Sequence, residues 1–172
     1  MAVLALPNDT ELPRRERAIF ALFLMTAAWV KARSTPRLKR IDLVNRTVPQ
    51  IARDVDTKGA KTFLTAFNIA APNVRSFFVD WVEFLYNVKF FGPEDPPFPK
   101  TGLDYDADGN VVSKTVTRAH WTQTGPIRAI IDASIQRVRM PTNGPHIFRH
   151  MLTHVAMDTD PSHRQLKARS RD

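Results

Sequence analysis

Gly144-Pro145-His146-Ile147-Phe148-Arg149-His150-Met151-Leu152-Thr153-His154 is the stretch on which the reading of this 172-residue chain turns. Pro145 suits the first turn of a helix, where a missing N–H loses no hydrogen bond, and the helix is expected to run to about Met157. On it His146, His150 and His154 recur every four residues and share one face, a spacing at which imidazoles can ligate a metal. Against that stand the missing glutamate of a His-Glu-x-x-His arrangement, the absence of cysteine and the lack of any acid in the helix before Asp158. Ordinary, partly buried histidines are the plain alternative for His150 and His154. No metal ligand is assigned and no cofactor is expected.

Working outward, Asp160-Pro161 starts a further, basic helix. Upstream, Thr124 as cap and Pro126 in the first turn open a helix through Ile127, Ile130, Ile131 and Ile135 that ends before Pro141. Phe91 to Asn110 holds four prolines and is expected to be an irregular loop, with Asp106-Ala107-Asp108-Gly109-Asn110 as a turn. The alternating acids from Asp104 resemble the start of a calcium loop, but no closing glutamate follows. A helix beginning near Asn73 carries Phe77, Phe78, Trp81, Phe84, Leu85 and Val88 at spacings of three and four. Ile41–Val44, Val48–Ala52 and Thr62–Phe67 read as short strands of an antiparallel meander. Arg14 to about Lys31 reads as a helix rich in Ala, Leu, Phe and Met. Residues 1–13, with two prolines, are expected to be a loose lead-in to one domain over 14–172. The order predicts an α+β fold, mainly α-helical, with a small antiparallel β-sheet packed against a helical bundle.

Composition narrows the classes of function. Lys and Arg number 25 against 17 Asp and Glu, a net charge of +8, and the sequence pI is near 10.3. That balance favours a polyanionic partner through long-range attraction and counterion release. The cations cluster: Lys31, Arg33, Arg37, Lys39, Arg40 and Arg46 against the single acid Asp42, then Arg164, Lys167, Arg169 and Arg171. A solvated basic face is the competing reading. The apolar run Ala18–Val30 is shorter than a membrane span and lacks a small-residue cleavage site after it, so no membrane partner is expected. Without cysteine, a reducing, cytoplasmic location is expected.

Several of these stretches, in order, resemble the boxes of the tyrosine recombinase (phage integrase) family. Thr26-Ala27-Ala28-Trp29-Val30-Lys31-Ala32, followed by Ile41-Asp42, is similar to the family's Thr-Gly-x-Arg-x-x-Glu box and its Ile-Asp. Thr57-Lys58-Gly59-Ala60-Lys61 is similar to the turn of the β-hairpin that carries the family's lysine. Phe91-Gly92-Pro93-Glu94-Asp95-Pro96-Pro97-Phe98-Pro99 looks like the loop with a Leu-Phe-Pro-type end, and Pro145-His146-Ile147-Phe148-Arg149-His150 like the His-x-x-Arg-His box. The resemblance spans roughly residues 14 to 170.

It implies a recombinase catalytic-domain fold, DNA as partner, and full-length recombinase subunits as further partners. In the family a tyrosine attacks the scissile phosphate, two arginines hold the non-bridging oxygens, and a lysine protonates the leaving oxygen. The implied catalytic residues are Lys58, His146 and Arg149; the basic residues expected on DNA are Lys31, Arg33, Lys39, Arg40, Lys61, Arg164 and Lys167.

The departures imply lost catalysis. Trp29 stands where the first arginine belongs, Ala32 replaces the glutamate, and Pro36 falls at a leucine position. The chain is expected to be truncated before the nucleophile, since Tyr86 and Tyr105 both precede the histidine box. The expectation is an integration- or recombination-related remnant that binds DNA without independent strand cleavage. A basic DNA-binding or interfering module, and a histidine-rich metal protein, are the alternatives.

Overall fold

The computed structural model describes residues 6–26, 37–50, 63–66 and 72–139. The chain divides into two compact units, residues 1–140 and 141–172, and every described residue lies in the first. The histidine-box helix and the helix expected from Asp160 therefore lie outside the described residues.

Helix α1 spans Glu11–Thr26. It begins three residues before the expected Arg14 because Pro13 sits in its first turn, where no N–H is needed, rather than ending a loose segment. The lead-in is correspondingly shorter than 1–13, and Leu6 within it is already buried. Ala18, Ile19, Phe20, Ala21, Leu22, Phe23 and Met25 are all buried. A helix apolar nearly all round belongs at the centre of a fold. Accordingly α1 packs against both other helices and one hairpin.

The expected strand Ile41–Val44 does not form. Leu38–Arg40 is a 3₁₀ turn, and Asp42 then nucleates a tight turn by accepting from Asn45 N (2.8 Å) and Asn45 Nδ2 (2.7 Å). A side chain that supplies its own turn acceptor outcompetes the β preference of Ile41 and Val44. Asp42 keeps only a single backbone bridge to Thr47. Strands β1 (Thr47–Gln50) and β2 (Phe63–Ala66) follow and pair antiparallel, Thr47 opposite Ala66 and Gln50 opposite Phe63.

Helix α2 spans Pro72–Asn87, opening on Pro72 so that Asn73 falls inside the first turn instead of capping it. Its face of Val74, Phe78, Trp81, Val82 and Leu85 is buried, with Phe78 tilted against Phe98 at 6.1 Å between ring centres. Past its end, Phe90 takes the left-handed conformation (φ 53°). Arg118 holds that turn, donating from Nη2 to Phe90 O at 2.7 Å.

The loop expected over Phe91–Asn110 is irregular only in its first half. Thr101–Tyr105 is β3, paired antiparallel with β4 (Val111–Val116) around a bulge at Leu103. The five-residue turn between them is built by Asp106, whose Oδ1 accepts from Asp108 N (3.0 Å) and Asn110 N (2.8 Å), while Gly109 supplies φ 79°. The carboxyl of Asp106 is held below its ordinary range by the Asn110 N–H bond first of all.

Helix α3 spans Gly125–Arg137 and buries Ile127, Ile131, Ser134 and Ile135. Thr124 occupies the cap position, but its hydroxyl makes no capping bond. Its carbonyl accepts from Arg128 N at 3.0 Å. Among the described residues the architecture is thus α+β with helices dominant: three helices and two antiparallel hairpins. No helix among them is long and apolar enough to cross a membrane.

Candidate nucleic-acid interface

Of the residues implicated by sequence, only Lys39 and Arg40 fall within the described structure. Lys58, His146, Arg149, Lys31, Arg33, Lys61, Arg164 and Lys167 lie outside the described residues, as does Trp29. Residues 51–62, which carry Lys58 and Lys61, are the connection between the paired strands β1 and β2.

Lys39 and Arg40 sit on the 3₁₀ turn, which docks on the proline-rich loop through Leu38 N to Asp95 O (3.0 Å) and Lys39 N to Pro93 O (2.9 Å). Leu38, fully buried, anchors it. Lys39 and Arg37 share the carboxylate of Glu94, each at 2.5 Å. These two cations draw the Glu94 carboxyl below its ordinary range, the hydrogen bond from Lys39 contributing most. The group is exposed, so a competing phosphate can reach it. Lys39, one of the residues expected on DNA, is thus paired with Glu94.

The sequence reading missed a second concentration of cations on α1. Arg14, Arg15 and Arg17 lie in its first half, just before the apolar run that starts at Ala18. Arg15 is 2% exposed and donates from Nη1 to Pro99 O (2.9 Å) and Thr101 Oγ1 (3.0 Å), tying α1 to the start of β3. Burial pushes its guanidinium below the ordinary value, with Glu16 opposing the change. Arg14 lies over the Phe84 ring at 4.3 Å and Arg17 over Phe77 at 3.5 Å. Both rings belong to α2, seven residues apart, so two helical turns of α2 meet one turn of α1.

Glu11 adds a third tie. One oxygen accepts from Lys89 Nζ at 2.8 Å and the other from Val116 N at 3.0 Å. These charged contacts hold the ends of α1, α2 and β4 together. Basic residues at positions i and i+3 of a helix start are a readable signal; the aromatic rings they rest on, sixty and seventy residues away, are not.

The chain's two tyrosines are also placed. Tyr86 lies near the end of α2 with its hydroxyl pushed up by burial, and Tyr105 ends β3, largely exposed. No protein-family model matches the chain, and no curated protein matches it significantly.

Proposed function

We propose that this chain is a tyrosine-recombinase-like DNA-binding domain that grips duplex DNA through its basic segments and does not cut it alone. The observation that carries the reading is the antiparallel pairing of β1 with β2 around the connection bearing Lys58, between helices α1 and α2. A lysine on a hairpin after the first helix is what the resemblance implies. The charge of +8 supports a polyanionic partner.

The same reading makes the chain a poor catalyst. Trp29 offers one neutral N–H where a forked cation would stabilise the transition state, a loss of about 3 kcal/mol or roughly two powers of ten in rate. Neither Tyr86 nor Tyr105 occupies the nucleophile's place after the histidine box. A tyrosine supplied by another recombinase subunit would still lack the arginine that Trp29 replaces in the resemblance.

The 172-residue chain is therefore expected to form no covalent complex with a nicked suicide DNA substrate, and Trp29→Arg alone is expected not to restore one. Denaturing gel electrophoresis of the reaction reads this directly. A protein–DNA band that survives denaturation would overturn the claim of inactivity.

A further inference from the structure

Between the first turns of α1 and the middle of α2 lies a half-open cleft of about 60 Å³, lined by Asn8, Arg14, Arg17, Phe77, Asp80 and Trp81. Two guanidiniums enter it from one helix face, each backed by an aromatic ring. Stacking on a ring occupies a face of the guanidinium and leaves its in-plane N–H groups to bind an acceptor. Arg17 is only 9% exposed, yet its Nε is buried with no hydrogen-bond partner among the described residues. A buried charged donor without an acceptor is costly, and neither the Phe77 ring under Arg17 nor the Asp80 carboxylate near it meets this Nε.

From the paired arginines and the unmet Arg17 donor, we propose that this cleft is a receptor for a phosphoryl oxyanion, filled by a backbone phosphate when the chain meets nucleic acid. It deepens the DNA-binding reading, on which it rests for the source of the phosphate but not for the existence of the site. The volume suits the choice, since at 10–15 Å³ per water it has room for about four to six waters. That is the size of one phosphoryl group and too small for a base. Arg14 and Arg17 against Asp80 leave a net positive charge, and Asp80, on the exposed side of α2, weakens an anion's hold without preventing it.

The test is an NMR titration of the full chain with inorganic phosphate, following the arginine Nε–H signals, with sodium chloride at matched ionic strength as reference. Arg14→Gln, at a half-buried position, avoids emptying the buried Arg17 site. Saturable shifts of Arg14 and Arg17 are expected. Arg14→Gln should weaken binding about tenfold or more, by loss of a charged hydrogen bond. Asp80→Asn should tighten it about threefold, by removing a repelling carboxylate.

A second arm measures duplex DNA affinity in the same variants. Weaker DNA binding by Arg14→Gln supports the backbone phosphate as occupant. Phosphate binding with DNA affinity unchanged or absent supports the oxyanion site and overturns its assignment to nucleic acid. No saturable shift, an equal response in Arg14→Gln, or weaker binding in Asp80→Asn overturns the site itself.

Discussion

Trp81→Ala is expected to remove about 5 kcal/mol of stability, the whole margin of a unit at the low end of the ordinary range of about 5–15 kcal/mol. Trp81 is 1% exposed at the centre of α2. Its indole stacks on Phe84 at 5.6 Å and donates from Nε1 to Pro97 O at 2.7 Å. Truncation opens a cavity worth about 3–5 kcal/mol and strands the Pro97 carbonyl for about 1 kcal/mol more. The proline-rich loop has few backbone donors of its own, so the indole, together with the Phe78–Phe98 contact, fastens it to α2. Trp81→Phe keeps most of the volume and should cost about 2 kcal/mol. Urea denaturation followed by circular dichroism separates the two; a Trp81→Ala loss under 1 kcal/mol would show that the loop is not held this way.

The second large effect belongs to Arg15. In Arg15→Ala the bonds to Pro99 O and Thr101 Oγ1 vanish together, and the space left between α1 and β3 stays partly empty. Hydrogen bonds from a charged donor contribute about 1.5–3 kcal/mol each, offset here by release of the buried charge, so a loss of about 3 kcal/mol is expected. Arg15→Met fills the space without a buried charge and should lose less, about 1–2 kcal/mol. Equal stability of wild type and Arg15→Ala in the same urea experiment would mean that the buried guanidinium gives no net support.

These two residues also mark how far the sequence could be read. The apolar periodicity of α2 named Trp81 as a core residue, since spacing along a helix is a local property. Arg15 could not be read that way, because its partners are eighty-four and eighty-six residues distant. The β3–β4 hairpin was legible in principle: Asp106 to Asn110 is a turn between two β-prone runs. The preceding prolines drew β3 into the expected loop, although only Phe91–Lys100 needed one. The strand expected at Ile41–Val44 failed because a single aspartate with the right neighbour imposes a turn. Of the candidate site residues named from sequence, only Lys39 and Arg40 lie in the described part, and the pairing of Lys39 with Glu94 is a contact across fifty-five residues that no local pattern encodes.

The most direct test of the DNA-binding account is the salt dependence of affinity for two unrelated duplexes, by fluorescence anisotropy between about 50 and 200 mM salt. Contacts to about four to six phosphates predict a log–log slope near −4 to −5 that is the same for both sequences. A slope near zero, or no binding at the lowest salt, would contradict it.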